Sequence, residues 1–561
     1  MNTSTDRHCL VASNWSMAGA ALSATTLAAI ALVSAQASAA GNAHAAAPLP
    51  QLVERAGRRA LMVDGAPYLI LGAQVNNSSN WPSELPRVWP AVELLRANTV
   101  EIPVAWEQIE PREGQFDFSY VDTLLAQARE HQLRLVLLWF GTWKNNNPNY
   151  TPAWVKFDNQ RFPRVIDGRG QIKNSLSPLA RSTLDADRTA FAALLRHLRE
   201  IDEARTVLMV QVENETGTYG SVRDYSPMAQ RAFQAPVPAV LLSALKRTSA
   251  KGMSWSQVFG ADADEFFHAW SIAQFVNAVA EAGKAQYALP MYVNAALRDP
   301  INAQDPLTYS SGGPTHNVLD IWKAAAKAID MISPDIYDAH YDFCMAVLDH
   351  YERPDNALFV PEIGNKPVFA RYLYSILGRH AIGYSPFGID FTNYSNYPLG
   401  TRTIGAEMIE PFAVNYRVLA PMARVWARLA FESETWGASE QDSRAPQQLD
   451  LGRWHATVEF NRWQYGATNE RPVGPLGPDG GVLVARLGAD EYLLIGHNAR
   501  ISFTAADQAG AHGSLFNRVE EGHYDEHGQW VFERLWNGDQ TDFGLNFTSE
   551  PQVLHVSLGV Y

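Results

Sequence analysis

Downstream of Pro50 the chain alternates short apolar runs with segments of helical periodicity, and this alternation limits its fold more than any other feature. Apolar runs that are almost continuous are typical of parallel strands, because helices cover both faces of such a sheet. Eight strands are predicted, at Tyr68–Val75, Thr99–Val104, Leu133–Phe140, Thr206–Val212, Met291–Val293, Met331–Tyr337, Ala357–Glu362 and His380–Ser385. Eight strands of this kind over about 350 residues predict an α/β fold, the (β/α)8 TIM barrel.

The segments between most of these strands have a helical period. Helices are predicted at Tyr120–His131, Asp185–Ile201, Asp264–Tyr287, Val318–Ala328 and Val368–Arg379, and a last helix at Val414–Glu432. An open doubly wound sheet is the structural alternative, and it predicts a glycine-rich phosphate loop after the first strand. The first strand ends in GAQVNNSS instead, which favours the barrel.

The pattern changes after Ser443 to short β-prone runs separated by Gly, Asn and Asp turns. Such runs are typical of a small antiparallel sandwich. We therefore expect a barrel over residues 50–432 and a β-sandwich domain over residues 443–561. The β domain either binds a ligand or packs against the flank of the barrel.

The first 39 residues resemble a secretory signal peptide. An apolar, Ala-rich segment, Met17 to Ser34, precedes the small-residue cleavage pattern Ala37-Ser38-Ala39. An uncleaved anchor is the alternative. No later run is long enough to span a bilayer, and Cys344 is the only cysteine left after cleavage, so no internal disulfide can form. These features predict a periplasmic or secreted protein, bacterial in type, without membrane contact after cleavage.

The net charge of −14 argues against nucleic acid or an anionic membrane as a partner. A neutral ligand is compatible with it. The chain has 16 Trp and 21 Tyr, whose rings either pack in the core or offer flat faces to sugars. Its histidines lack the spacing of metal ligands, so no metal and no cofactor are predicted. The sequence does not indicate an oligomeric state.

Carboxylates end two of the predicted strands. Glu213, Asn214 and Glu215 end the fourth, and Glu362 ends the seventh within VPEIGN. The carboxyl ends of barrel strands line one opening, so Glu215 and Glu362 are expected to face each other there. Glycosidic-bond cleavage needs one protonated and one ionised carboxyl group, and repulsion between them separates their pKa values. Either Glu taken alone also fits a helix cap or an ion pair.

Three stretches carry a family resemblance. QVENETG at Gln211–Gly217, WEQIEPREGQFDF at Trp106–Phe118, and LVLLWFGTW followed by PAWV within Leu135–Val155 resemble glycoside hydrolase family 35, the β-galactosidases. The resemblance implies that Glu215 is the acid/base and Glu362 the nucleophile. The chain looks most like a bacterial branch with a short C-terminal β domain, some members of which release galactose from plant cell-wall glycans such as xyloglucan.

The chain departs from the family pattern around the expected sugar pocket. Pro103-Val104-Ala105-Trp106 lacks the tyrosine of the family's Tyr-x-Pro-Trp, and Glu107-Gln108-Ile109 replaces its Asn-x-His. KNNN, at Lys144 to Asn147, stands where the family has a sugar-binding Glu. We therefore expect the pocket to contact its sugar differently, which weakens the inference of galactose more than that of the reaction.

Further side chains are assigned roles on chemical grounds. Asn214 would donate to the sugar 2-hydroxyl, Tyr337 would hydrogen-bond to Glu362, and Glu213 would bind a hydroxyl or orient Glu215. Trp143 would stack under the sugar ring. Other residues at strand ends or nearby are candidates for the pocket wall, each with a structural role as the alternative: Asn76, Asn77, Trp81, Trp106, Lys144, Asn145, Asn294, Tyr384 and Tyr394.

The prediction is a retaining, exo-acting β-galactosidase that removes terminal β-D-galactosyl residues by double displacement. Two alternatives stay open. The first is another retaining glycosidase, such as a β-mannosidase, β-glucosidase or arabinosidase. The second is an exported glycan-binding protein without catalysis.

Overall fold

The computed structural model describes residues 47–462, 471–507 and 513–561. The predicted signal peptide lies outside the described residues. Within them, no helix combines the length and the apolar character that crossing a bilayer requires.

Eight parallel strands close into a barrel, which confirms the predicted TIM-barrel fold. The strands lie in sequence order around the barrel, and the fourth pairs with the fifth to complete the circle. Their bounds are Ile70–Gln74, Thr99–Ala105, Arg134–Lys144, Val207–Asn214, Met291–Ala296, Met331–Ile336, Val360–Ile363 and Gly383–Pro386. Each lies within a few residues of its predicted position, because burial on both faces makes these strands almost continuously apolar.

Helices surround the barrel. Their bounds are Leu85–Leu95, Trp106–Ile109, Ser119–Glu130, Ala153–Lys156, Arg181–Ile201, Pro227–Gln234, Ala239–Ala244, Trp255–Phe259, Ala263–Lys284, Leu319–Ala325, Tyr341–Tyr351, Tyr372–Leu377 and Ala406–Glu432. Single 3-10 turns occur at Thr248–Ala250, Gly260–Asp262, Pro306–Thr308, His316–Val318, Pro367–Arg371 and Gly538–Gln540. The last long helix is anchored by Tyr416, whose hydroxyl donates to the carbonyls of Gly72 and Tyr384 in the first and eighth strands.

A three-stranded antiparallel sheet precedes the barrel, with strands Gln51–Arg55, Arg58–Val63 and Ala66–Tyr68. Leu61, Val63 and Tyr68 from this sheet pack with residues that begin barrel strands, among them Ile70 and Phe359. The sheet therefore covers the amino end of the barrel and leaves the carboxyl end open for a site. A further strand pair, Arg164–Ile166 with Ile172–Leu176, lies in the loop after the third strand.

The C-terminal part is a two-sheet antiparallel sandwich. One sheet has six strands, Thr435–Ser439, Gly481–Arg486, Glu491–His497, Gln552–Val560, Ser514–Tyr524 and Trp530–Leu535, in that spatial order. The other has four, Gln447–Asp450, Trp454–Glu459, Arg500–Ala505 and Leu545–Asn546. Alternate residues of both sheets, such as Val484 and Val458, form a shared core. The first strand begins at Thr435, ahead of the Ser443 from which the sequence places this domain.

Glycines bring the sandwich close to the barrel. A β-carbon on Gly378, at the end of the helix Tyr372–Leu377, would lie 2.1 Å from the backbone nitrogen of Gly437. One on Gly437 would lie 1.9 Å from the carbonyl oxygen of Tyr374, and one on Gly481 would lie 1.9 Å from the Tyr374 ring. The helix and the first strands of the sandwich therefore touch backbone to backbone, which requires residues without side chains.

Candidate active site

Three carboxyl groups meet at the carboxyl end of the barrel. One oxygen from each of Glu215, Asp335 and Glu362 lies within 4.8 Å of the oxygens of the other two. Glu215 follows the fourth strand directly, whereas Asp335 and Glu362 are paired neighbours on the sixth and seventh strands. The structure thus brings Glu215 and Glu362 together at one opening, as the sequence predicts, and adds a third acid between them.

Glu362 accepts hydrogen bonds on both carboxylate oxygens. The hydroxyl of Tyr337 donates to Oε1 at 2.5 Å, and the amide of Gln74 donates to Oε2 at 2.7 Å. The side chain is 5% exposed, so its position is fixed. Donors on both oxygens favour the ionised form of a carboxyl group. The Tyr337 contact is the hydrogen bond that the sequence analysis predicts; Gln74 was not among its candidates.

Glu215 lies in different surroundings. Its backbone N–H donates to Oδ1 of Asn294 at 2.9 Å, which fixes the main chain while the carboxyl group faces the cluster. Burial raises its pKa to about 7, and the negative charge of Glu362 adds to that rise. The positive charge of Lys144 and a hydrogen bond with Asp335 act in the opposite direction. Glu215 is therefore the carboxyl group that can hold a proton near neutral pH.

Asp335 is the functional candidate that sequence reasoning missed. It is 3% exposed and accepts a hydrogen bond from the amide of Asn294 at 2.7 Å. Its other oxygen is buried, and no amide, hydroxyl or ammonium of the described residues donates to it. Burial, followed by the charges of Glu362 and Glu215, raises the pKa of Asp335 well above its usual range. The available signal was its position two residues before Tyr337 in SPDIYD, since alternate strand residues share a face.

Polar side chains from the third, fourth and fifth strands form the wall beside Glu215. The Asn214 amide lies 3.3 Å from the side chains of both Asn145 and Asn294. Lys144 is 6% exposed, hydrogen-bonds to Asn145, and has its ammonium 5.1 Å from the centre of the Phe140 ring. The predicted wall residues Asn214, Lys144, Asn145 and Asn294 are thus brought together.

Glu213 does not share this opening, and its predicted roles are corrected. Its Oε2 accepts from the backbone N–H of Trp143 at 2.8 Å, and it is hydrogen-bonded to Asp187 on the helix Arg181–Ile201. Both carboxyl groups are fully buried. The physical reason is backbone geometry: φ is +65° at Glu213 and +45° at Glu215, which breaks the alternation of a regular strand.

Trp143 and Trp106 are core residues, which corrects their assignment to the sugar pocket. The Trp143 ring is fully buried and packs perpendicular to the ring of Phe275, so it cannot stack under a sugar. Trp106 is equally buried and donates its indole N–H to Glu110. Tyr384 is also buried, and its hydroxyl donates to the carbonyl of Phe369. Strand ends in this barrel point some large side chains outward into the helix layer.

The remaining candidates lie on the rim of the opening. Trp81 and Tyr394 are about half exposed. Asn76 is buried, with its amide donating to Asp390 at 2.9 Å. Asn77 is partly buried, and its side-chain oxygen has no hydrogen-bond donor.

The cluster of Glu215, Asp335 and Glu362 also has the spacing of metal ligands within the part of the chain that the structure describes. Its surroundings resemble those of a proton-sharing site more than those of a cation site. Tyr337, Gln74 and Asn294 donate hydrogen bonds to oxygens of this cluster. The positive charge of the Lys144 ammonium acts to lower the pKa of Asp335. The arrangement can place one carboxylate and one carboxylic acid on a single substrate.

Comparisons with known proteins relate parts of the chain to families. The model of glycoside hydrolase family 42, described as β-galactosidase, matches residues 81–262. A model described as a domain of unknown function (DUF5597) matches residues 412–548. A curated β-galactosidase from Xanthomonas manihotis is 29% identical over 174 residues, which cover 29% of this chain and 26% of that protein. The match thus spans about a quarter of the relative's length.

Solved structures with a similar fold include two β-galactosidases and a mannosidase. The β-galactosidase of Bacillus circulans sp. alkalophilus aligns with a TM-score of 0.49 and 10% identity, over 87% of this chain and 99% of that one. That of Marinomonas ef1 aligns with a TM-score of 0.47 and 12% identity, over 65% and 62%. The exo-β-1,4-mannosidase Op5Man5 of Opitutaceae bacterium strain TAV5 aligns with a TM-score of 0.42 and 16% identity, over 68% and 63%.

The matched family differs from the one that the motifs suggest. The motifs resemble family 35, whereas the matching model is that of family 42. The matched stretch includes Glu215 but ends before Asp335 and Glu362. The segment that contains Glu215 is therefore similar to the β-galactosidases of glycoside hydrolase family 42.

Proposed function

We propose that this protein is a retaining, exo-acting β-galactosidase that removes terminal, non-reducing β-D-galactosyl residues from oligo- or polysaccharides. The family 42 match and the Xanthomonas relative support β-galactoside chemistry. Because the sequence motifs also resemble family 35, some members of which act on plant cell-wall glycans, xyloglucan is a candidate substrate.

The observation that carries the proposal is a pair of close carboxyl groups in unlike surroundings. Glu362 accepts two hydrogen bonds, which favour its negative charge. The pKa of Glu215 is raised to about 7, so this group can retain a proton. One ionised and one protonated carboxyl group on a single opening are the two groups that glycoside hydrolysis needs.

The proposed reaction has two displacement steps. In the first, an oxygen of Glu362 bonds to the anomeric carbon while the bond to the leaving oxygen breaks and Glu215 protonates that oxygen. In the second, Glu215 takes a proton from water, the water oxygen bonds to the anomeric carbon, and Glu362 is released as a carboxylate. Retaining enzymes hold their carboxyl groups about 5–5.5 Å apart, and the separation within 4.8 Å supports retention over inversion.

Neighbouring residues have supporting roles in this proposal. Tyr337 and Gln74 aim Glu362 and hold its charge until attack. Asn214, on the wall beside Glu215, would donate to the sugar 2-hydroxyl, an interaction that strengthens in the transition state. No step requires a metal ion.

A panel of aryl glycosides tests the substrate and the mechanism together. We expect rapid release from the aryl β-galactoside, slower release from the β-mannoside, β-glucoside and α-arabinoside, and a β-configured first product by NMR. Glu362→Ala should lower kcat by at least about 10⁴-fold, because the nucleophile is lost. Glu526→Ala, at an exposed glutamate of the β domain, is the matched control and should behave as wild type.

Two results would overturn the proposal. Rapid release of another sugar with the galactoside untouched would disprove the substrate, and full activity of Glu362→Ala would remove that residue from the mechanism. Loss of activity in the Glu526→Ala control would show that the assay reports folding instead.

We also propose that the protein is exported, on the evidence of the signal-peptide pattern in residues 1–39. Sequencing the amino terminus of the protein isolated from its native cells tests this proposal. A mature chain that begins just after Ala39 or Ala40 would support it, whereas an intact Met1 in the cytoplasmic fraction would refute it.

A further inference from the structure

A cavity of about 440 Å³ lies on the rim of the barrel opening. It is formed by the loops that follow the first, third and eighth barrel strands. Its wall includes Asn76, Asn77, Ser78, Tyr150, Thr392 and Tyr394. This volume falls within the range of about 300–1,000 Å³ that small-molecule sites occupy.

Two strands connect this cavity to the catalytic carboxyl groups. On the first strand, Gln74 donates to Glu362, and Asn76, two residues later, is part of the cavity wall. On the side of the third strand, the ring of Tyr150 packs against the ring of Phe140. The Lys144 ammonium lies 5.1 Å from the centre of that Phe140 ring. A ligand in the cavity would therefore adjoin a sugar that is held at Glu362, while the carboxyl groups themselves stand outside the cavity wall.

The cavity wall is rigidly built. Asp390, which is 1% exposed, accepts hydrogen bonds from the backbone N–H and the amide of Asn76, and from the hydroxyls of Ser79 and Thr392. These bonds join the loop after the first strand to the loop after the eighth. A wall that is ordered before binding loses little entropy when a ligand enters.

The chemistry of the wall matches a neutral, polyhydroxylated ligand. The side-chain oxygen of Asn77 is buried, and none of the described residues donates to it, so it can accept a hydrogen bond from a hydroxyl group. Tyr394 is 59% exposed, and its ring offers an apolar face. The charged side chains of the wall, Arg87 and Glu84, form an ion pair with each other at 3.2 Å. The wall therefore presents no unbalanced charge to a ligand.

We propose that this cavity is a second sugar-binding subsite, which holds the sugar unit of an oligosaccharide adjoining the unit whose bond is cleaved. The Asn77 oxygen would accept from a hydroxyl of that unit, and Tyr394 would pack on its apolar face. The inference rests on the proposed function. It predicts that the enzyme discriminates between a bare aryl galactoside and a galactose-terminated oligosaccharide.

Kinetics of two variants against two substrate types test the subsite. The substrates are 4-nitrophenyl β-D-galactoside and a panel of lactose, galactobiose and galactose-terminated xyloglucan oligosaccharides. For the best oligosaccharide, Tyr394→Ala and Asn77→Ala should each lower kcat/KM about tenfold more than they lower it for the aryl galactoside. Tyr561→Ala, at a tyrosine that is 62% exposed on the β domain, is the control and should leave that ratio unchanged.

A binding experiment separates failure of the subsite from failure of the proposed function. Glu362→Gln protein is titrated calorimetrically with galactose and with the same oligosaccharides. Tighter binding of an oligosaccharide than of galactose, weakened about tenfold by adding Tyr394→Ala, supports the subsite even if the aryl galactoside is not hydrolysed. Equal binding of both ligands, or an unchanged kinetic ratio in both variants, would overturn it. Absence of galactoside hydrolysis by wild type would instead refute the proposed function.

Discussion

Glu215 and Glu362 have the same side chain, and only their surroundings give them different chemistry. Glu362 receives two hydrogen bonds from uncharged donors, whereas Glu215 faces two other acids, and burial and the charge of Glu362 raise its pKa to about 7. Asp335 lies in the same cluster, and burial raises its own pKa well above its usual range. In the proposed reaction, the acid and the nucleophile are thus distinguished by position alone.

The raised pKa of Glu215 predicts a pH dependence with a definite sign. In the proposed reaction the first step requires the acid form of Glu215, which disappears as pH rises through its pKa of about 7. We therefore expect kcat/KM for a substrate with a poor leaving group to fall tenfold per pH unit above that value. In Glu215→Gln the remaining activity should lose this alkaline decline, because the titrating group is absent. An unchanged decline in the variant would assign the titration to another residue.

Sequence reasoning at the residue level identified the two carboxyl groups and Tyr337 but misplaced several neighbours. Glu213, Trp143 and Trp106 look like pocket residues because each lies at a strand end. All three side chains are buried in the core. For Glu213 the reason is local, because positive φ values at Glu213 and Glu215 disrupt the strand alternation on which its assignment rests. Glutamate is not among the residues enriched at positive φ, so its sequence does not predict this conformation.

At the scale of elements, burial decides what can be predicted. The eight barrel strands were found because their apolar runs are nearly continuous. Elements with weaker patterns were missed. The helix Leu85–Leu95 contains Pro90 in its interior, which argues against a helix, and the strands of the amino-terminal sheet are only three to six residues long. Tertiary packing stabilises these elements more than their local sequence does.

The buried pair of Glu213 and Asp187 joins the fourth strand to the helix Arg181–Ile201 and yields a stability prediction. The pKa of Glu213 is raised well above its usual range, first by burial and then by Asp187. Stability from this group is therefore present at low pH and is lost as pH rises through its folded-state pKa. Glu213→Gln keeps an acceptor for the Trp143 N–H and a donor for Asp187, without a proton to lose.

We expect Glu213→Gln to raise the free energy of unfolding at pH 8 by about 1–3 kcal/mol and to change it little at pH 5. Denaturant titrations of wild type and variant at both pH values provide the measurement. Glu200→Gln, on the same helix at a surface position, serves as the matched control. If Glu213→Gln lowers the free energy of unfolding equally at the two pH values, the proton on Glu213 does not stabilise the fold.

For the whole molecule, Arg371 connects the β domain to the catalytic end of the barrel. It is fully buried in the turn after the seventh strand, and its guanidinium donates to the carbonyl of Glu440 and to Asp442 at 2.6 Å each. It also donates to the carbonyl of Ala339, in the loop after the sixth strand. The β domain is thereby bound to the two loops that follow Asp335 and Glu362.

Arg371→Leu should lower the free energy of unfolding by about 2–4 kcal/mol, because buried carbonyls and Asp442 lose their donor. Arg181→Leu, at an arginine whose side chain is 70% exposed, should cost less than about 0.5 kcal/mol. Chemical denaturation monitored by fluorescence provides both values. Equal effects of the two substitutions would show that the link between barrel and β domain carries no stability.

Gly378, Gly437 and Gly481 allow the helix Tyr372–Leu377 and the first strands of the sandwich to pack closely. This contact limits how domains can be exchanged in this protein. A chimera that takes its β domain from a homologue would need glycine, or a matching hollow, at all three positions at once. Exchanging the sandwich alone would leave a gap or a collision beside the helix Tyr372–Leu377, which follows the seventh barrel strand. Recombination points are therefore better placed before residue 372, so that both partners in this contact come from the same parent.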